Sequence, residues 1–286
     1  MPINIHFFRN NNLEKLDFNK LLDYFDTFPN FKTYYANDMV EIVYSDTEFS
    51  FTYRYLITKQ SRVAKIYELN PMYTNINFLL EMPVLIPSFL AKEILTLTQK
   101  ICKIFDLNIY TDSFDDVQAF NLVDVLVLYE QTLQHSIEEN GLQGKIKYDS
   151  EKLNIICKYQ RFVDSLRDHY NNTVDVNYVV PVTDDDAGIS GMSYTWKLGR
   201  PTIFPPYVEY IYVEDNEGKK LLLLRDDFFR VMNKSFTEIK TFLPDLYMIK
   251  EKQARSSNRE LKKLRKFDYI HEYNMRTLRL SDVIEA

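Results

Sequence analysis

Three consecutive aspartates, Asp184, Asp185 and Asp186, sit in the stretch PVTDDDAGISGMSYTWKLGRPTIFPP at residues 181–206. Clustered carboxylates can supply the oxygen ligands that Mg²⁺, Mn²⁺ or Ca²⁺ requires. The spacing lacks the alternating ligands and distal glutamate of a calcium loop, so a solvated turn competes with a metal centre. The same stretch holds Gly188, Gly191 and Gly199, four of the ten prolines and the only tryptophan, Trp196. Glycines free the backbone, prolines stiffen it, and a large amphipathic ring anchors either a core or an interface. The expected contact surface for a partner is therefore Trp196, Tyr194, Arg200 and Asp184 to Asp186.

Other chemistry-bearing residues are more dispersed. His135 and Glu139 lie four apart on one helical face and could hold half of a metal site, but no second pair completes it and no metal is expected. His6, His169 and His271 are scattered. Asp124 interrupts the apolar run LVDVLV, where a buried carboxylate would titrate abnormally and an edge carboxylate would face water. The Asp226–Asp227 pair opens a helix, where the dipole accounts for it. Cys102 and Cys157 each fall in an amphipathic helical pattern and read as buried thiols. The chain carries no GxSxG, HExxH, P-loop or dinucleotide fingerprint, and no cofactor is implied.

Charge is distributed unevenly. Residues 1–249 carry 25 basic and 35 acidic side chains, whereas residues 250–279 carry ten basic and four acidic. Within the basic segment Arg255, Arg259, Lys262 and Lys266 follow a four-three-four spacing, one stripe of a helix, with Leu261 and Leu264 towards the other side. Such a stripe suits phosphate or an acidic protein surface.

The elements that must position these groups follow from periodicity. Residues 1–112 read as an α+β unit in the order β-α-β-β-β-α-β. Its strands are Ile3–Phe8, Val40–Tyr44, Phe49–Ile57, Asn75–Met82 and Leu107–Tyr110. One helix carries Leu16 to Phe28, and a second, capped by Ser88, carries Leu90 to Ile104. An antiparallel or mixed sheet with both helices on one face is expected. A helical pair occupies 113–172: Asp116–Glu139, ended by Asn140–Gly141, and Ser150–Tyr170, with Ile155, Tyr159, Phe162 and Leu166 inward. The LVDVLVLY segment is apolar nearly all round and should be largely buried. Residues 173–286 read as a β-rich unit. It has a strand at Val174–Val180, the 181–206 loop, a Tyr207–Val213 and Lys220–Leu224 hairpin, a helix at Asp226–Phe242 and a tail helix at Gln253–Phe267. The three segments are compatible with one continuous domain.

The composition, 45% hydrophobic and 27% charged, is that of a globular protein. The start MPINIHFFRN lacks a signal-peptide pattern, and the most apolar stretch, Phe78–Leu97, is broken by Glu81, Pro83, Pro87, Lys92 and Glu93. A cytoplasmic protein with no membrane contact is expected. The function expected first is a non-catalytic binding or regulatory protein that meets a protein partner through 181–206. The alternatives are a nucleic-acid-associated protein using the basic helix at 253–267, and a metal-dependent enzyme centred on Asp184 to Asp186 with Asp124 or Glu209 brought in by folding.

Overall fold

A computed structural model describes residues 2–266, 270–271 and 273–285. The fold is α+β, 34% helix and 32% strand. The chain divides into two compact units, residues 1–144 and 145–286. This boundary falls in the connection between the two central helices, so each unit takes one of them.

The first unit contains β1 (Ile3–Asn10), α1 (Phe18–Asp26), β2 (Phe31–Tyr35), β3 (Met39–Asp46), β4 (Phe51–Thr58), β5 (Tyr73–Met82), α2 (Ser88–Phe105), β6 (Asn108–Tyr110), β7 (Gln118–Ala119) and α3 (Leu122–Asn140). Its strands form one seven-stranded sheet in the order β2-β3-β4-β5-β1-β6-β7. Each pairing in it is antiparallel. Strand β1 lies between β5 and β6, so Ile3, Ile5 and Phe7 stand opposite Met82, Leu80 and Phe78. That face is apolar because both helices cover it. Phe25 of α1 packs 4.9 Å from the Tyr55 ring and 5.0 Å from Phe31, and Thr98 of α2 hydrogen bonds the Tyr55 hydroxyl at 2.9 Å. Fully burying a side chain such as Phe25 stabilises by roughly 1.5–3 kcal/mol. The other face is more polar. There Arg54 Nε donates to Glu81 Oε2 at 2.7 Å, and Arg62 donates to Glu81 Oε1 at 2.9 Å.

Local deviations from the sequence pattern have physical causes. The residue before α2 is Pro87, in an extended conformation with no side-chain cap, and Ser88 is the first helical residue rather than the cap. Helix α3 begins at Leu122, six residues later than expected, because Asn121 takes the cap position and accepts the Val123 amide. The preceding residues supply β7 instead. Only Val125, Tyr129 and Leu133 are buried on α3, whereas Val123 and Val127 are 67% and 46% exposed. The apolar segment is thus half-covered. Strands β2 and β7 are additions to the expected order.

The second unit contains β8 (Ile146–Tyr148), α4 (Ser150–His169), β9 (Val180–Asp184), β10 (Ile189–Lys197), β11 (Thr202–Phe204), β12 (Tyr210–Glu214), β13 (Lys220–Leu224), α5 (Arg225–Met232), β14 (Phe236–Glu238), β15 (Tyr247–Ile249), α6 (Glu251–Lys266), β16 (Ile270–His271), β17 (Arg276–Thr277) and β18 (Val283–Glu285). Six strands form a sheet in the order β16-β13-β12-β10-β9-β17, with β10 and β12 parallel. Strands β11, β15 and β14 make a second sheet, and β8 pairs in parallel with β18. Helix α4 buries Leu153, Ile156, Cys157, Tyr159, Gln160, Val163 and Leu166. Phe162, expected inward, is 40% exposed, because the true stripe runs one position away from it. Helix α5 is shorter than expected. It ends at Met232, and Phe236 begins a strand whose ring stacks on Phe229 at 4.1 Å.

Candidate functional site

The 181–206 segment is not a loop. It is β9, a turn, β10, a second turn and β11, and strand pairing begins at Val180 rather than at Val174. Ile189 to Ser193 pair with Asp184 to Val180, and Ser193 to Lys197 pair with Tyr210 to Glu214, so β10 has neighbours on both sides. Trp196 is 1% exposed and packs 5.5 Å from Phe228, with its indole N–H donated to the Arg200 carbonyl at 3.0 Å. Tyr194 is equally buried and donates its hydroxyl to the Ile203 carbonyl at 2.6 Å. Burial takes both rings out of any contact surface: they anchor the core of the unit.

The aspartates separate into three environments. Asp184 is 5% exposed and accepts three backbone amides, from Asp186 and Ala187 at 3.1 Å each and from Asn274 at 2.7 Å. Its carboxylate fixes the turn, where Gly188 takes φ +65°, and it too leaves the proposed surface. Asp185 pairs with Arg276 at 3.0 Å, whose hydrogen bond holds the Asp185 carboxyl below its ordinary range. Asp186 is exposed. Arg200 is exposed and pairs with Asp175 at 3.2 Å. Among the described residues no group of three or more His, Cys, Asp or Glu is arranged to hold a metal ion.

Glu209 lies apart from those aspartates' partners. Its Oε2 accepts the Met192 amide at 2.7 Å, and its Oε1 stands 2.5 Å from the Tyr148 hydroxyl. That hydroxyl has one proton and two acceptors, Glu209 and the Tyr207 carbonyl at 2.8 Å. An ionised Glu209 leaves one of these contacts without a proton, whereas a protonated Glu209 donates to Tyr148, which donates onward to Tyr207. Burial pushes the Glu209 carboxyl up, against the opposing pull of its hydrogen bonds with Tyr148 and the Met192 amide. Gly191 is what admits the carboxylate: a Cβ there would lie 3.0 Å from Glu209 Oε2 and 2.9 Å from the Tyr210 ring. The arrangement is a closed structural network. Both cysteines are buried, and burial pushes the Cys102 thiol up to about 12, far from a thiolate nucleophile. Asp124 is exposed in the first turn of α3, where the helix dipole favours it.

Helix α6 buries Ala254 and Ser257. Arg255, Arg259 and Lys262 are exposed. Arg255 pairs with Glu251 one turn earlier. The side chains of Leu261, Leu264 and Lys266, and all of Phe267, lie outside the described residues.

An open cavity lies in the first unit, with a volume of about 350 Å³. Ile3 and Val84 form a buried apolar floor, and Leu128 of α3 is half-buried beside them. Tyr129 fixes the wall: its hydroxyl lies 3.0 and 2.5 Å from the carbonyls of Val84 and Ile86 and has one proton to share between them. From α3 come Thr132, His135, Ser136 and Glu139; from the segment after β6 come Thr111, Asp112 and Ser113; from β1 comes Asn4. His135 Nε2 lies 3.2 Å from Glu139 Oε1. Thr132 donates its hydroxyl proton to the Leu128 carbonyl at 2.8 Å, which leaves Thr132 an acceptor towards other groups. Asn4 Oδ1 is buried and finds no hydrogen-bond donor among the described residues. Two residues further along β1, burial holds the His6 imidazole below its ordinary range, and the Asp112 carboxylate opposes that shift.

Leu128, Thr132, Ser136 and Glu139 are spaced four, four and three, which sets them on one face of α3. The His135–Glu139 relation belongs to it as an ion pair. Nothing in the sequence pattern marks Asp112 or Asn4, which reach the cavity through sheet order.

No known protein family, curated protein or solved structure matches the chain. No helix among the described residues is long and apolar enough to cross a membrane.

Proposed function

We propose that the chain is a binding protein whose first unit seats a small polar molecule in the cavity beside α3. The observation that carries this reading is the cavity's composition: an apolar floor of Ile3, Val84 and Leu128 beneath a rim of Asp112, His135 and Glu139. Apolar floors with a few convergent polar groups are the general pattern of small-ligand sites, and about 350 Å³ falls in their size range. The scaffold supports a fixed geometry, since Ile3 belongs to β1, Val84 closely follows β5 and Tyr129 ties α3 to the Val84–Ile86 segment.

The test is a thermal-shift screen of small polar compounds against the full chain and a Ser136→Trp variant that fills the cavity. A ligand at about 100 times its Kd stabilises the folded state by roughly 2.7 kcal/mol. Hits that stabilise the wild type and not the variant support the reading. Hits that stabilise both equally, or none from a broad screen, remove it.

A second reading rests on α6. Arg259 and Lys262 are exposed and have no ion-pair partner among the described residues, unlike Arg255. Uncompensated cations on one helix face favour an anionic partner, and a nucleic-acid backbone is the simplest. Binding to a mixed-sequence oligonucleotide should then fall steeply with salt and be lost in Arg259→Gln/Lys262→Gln. Salt-independent binding removes this reading.

A further inference from the structure

Two carboxylates and a hydroxyl acceptor stand among the cavity's polar groups, beside the Thr111, Ser113 and Ser136 hydroxyls, which can donate or accept. Asp112 and Glu139 are carboxylates, and Thr132 has used its proton on Leu128. The available donors are partly committed: His135 Nε2 lies against Glu139, and Asn140 Nδ2 donates to the Ser136 carbonyl at 3.3 Å. The wall is therefore rich in acceptors. It also carries negative charge: among the described residues Asp112 and Glu139 line it and no lysine or arginine does.

The sequence extends that bias well beyond the rim. Between Lys103 and Lys145 the chain carries eight acidic residues and no lysine or arginine. This segment supplies Thr111 to Ser113 and the whole α3 wall. A field of one sign with no internal counter-charge raises the local concentration of cations.

Two kinds of cation could answer it, and the geometry separates them. A metal ion needs oxygen or nitrogen ligands converging at roughly 2.0–2.6 Å. Among the described residues no three His, Cys, Asp or Glu converge in that way. The acceptors are instead spread around an apolar floor, which fits a cation with hydrogen-bond donors and methylene groups in one molecule.

Resting on the cavity reading above, we infer that the ligand is a small alkylammonium compound, its methylenes on Ile3, Val84 and Leu128 and its N–H donors towards Asp112, Glu139 and Thr132. Asp112 gives the site an internal reporter. Its negative charge works to raise the His6 pKa, so an ammonium group placed against Asp112 cancels that effect and lowers His6 further.

The experiment titrates the full chain with 1,4-diaminobutane, 1,4-butanediol and succinate at low ionic strength, following heat and NMR shifts of the α3 residues. The diamine is expected to bind, with succinate silent and the diol much weaker. Asp112→Asn and Glu139→Gln should each weaken the diamine about fivefold, the upper end for an exposed ion pair. The His6 ring should titrate at lower pH in the complex, and Asp112→Asn should remove that response. Binding of the diol or succinate at α3 with the diamine silent overturns the ligand class and leaves the cavity reading standing. Diamine binding that ignores both substitutions, or that Mg²⁺ displaces at equal concentration, also overturns it. Silence from all three probes overturns the ammonium assignment, and the Ser136→Trp screen then decides the cavity separately.

Discussion

The cavity of the first unit and the 181–206 segment of the second offer similar residues, namely carboxylates, hydroxyls and aromatic neighbours, in opposite states. In 181–206 the buried polar groups are already partnered. Asp184 accepts three amides, Trp196 donates to Arg200, and Tyr194 donates to Ile203. At the cavity, Asp112 is exposed on the rim and the Thr132 hydroxyl keeps its acceptor side open. Residue types concentrate where a chain must build a difficult turn and where it must meet a ligand, and only the state of the hydrogen bonds tells these apart.

The sharpest way to break this contrast is Trp196→Ala. Removing a buried tryptophan should cost about 3–5 kcal/mol, read by urea denaturation. A variant that keeps wild-type stability would return Trp196 to the surface and undo the comparison. Gly191→Ala comes next. Its Cβ meets Glu209 Oε2 at 3.0 Å and the Tyr210 ring at 2.9 Å, so a loss of about 1–3 kcal/mol is expected. Unchanged stability would show that Glu209 is not held as described.

A pH series sharpens the difference between closed and open carboxylates. Glu209 has its folded pKa raised above the ordinary 4.5, so the folded state binds the extra proton. Its contribution is full below that ordinary value and is lost as pH rises through the folded value. Glu209→Gln, which can donate to Tyr148 as the protonated acid does, should remove this dependence. A Glu209→Gln variant with the wild-type pH profile would count against the protonated network. The smallest effect belongs to the surface: Arg259→Gln should change stability by less than about 0.5 kcal/mol, since no ion pair is broken. A larger loss would mean that α6 docks through its basic face.

Much of the architecture was legible in the sequence. Alternation marked β1, β3, β4 and β5, and the three-four spacing marked α2 and α4. The Asp215–Gly218 turn marked the β12–β13 hairpin, where Gly218 takes φ +79°. What escaped were elements whose pairing is set by distant residues. Strand β8, Ile146–Tyr148, reads as a linker because its partner is residues 283–285. The 181–206 segment read as a loop because its glycines and aspartates resemble one locally, although its strands satisfy their backbones across the sheet. Of the cavity, only His135 and Glu139 stood out. Asn4, Val84 and Asp112 converge by the order β5-β1-β6, which no short-range pattern encodes.

The pairing of β8 with β18 also sets a timetable for the second unit. Lys145 Nζ reaches the Ser281 carbonyl at 2.9 Å, and Ile146 to Tyr148 pair with Val283 to Glu285. The first residues of this unit to leave a ribosome must therefore wait for its last. At roughly 5–20 residues per second, synthesis of the intervening stretch takes on the order of 7 to 30 seconds. Throughout that interval the first unit has its whole chain available, while β8 has no strand to pair with.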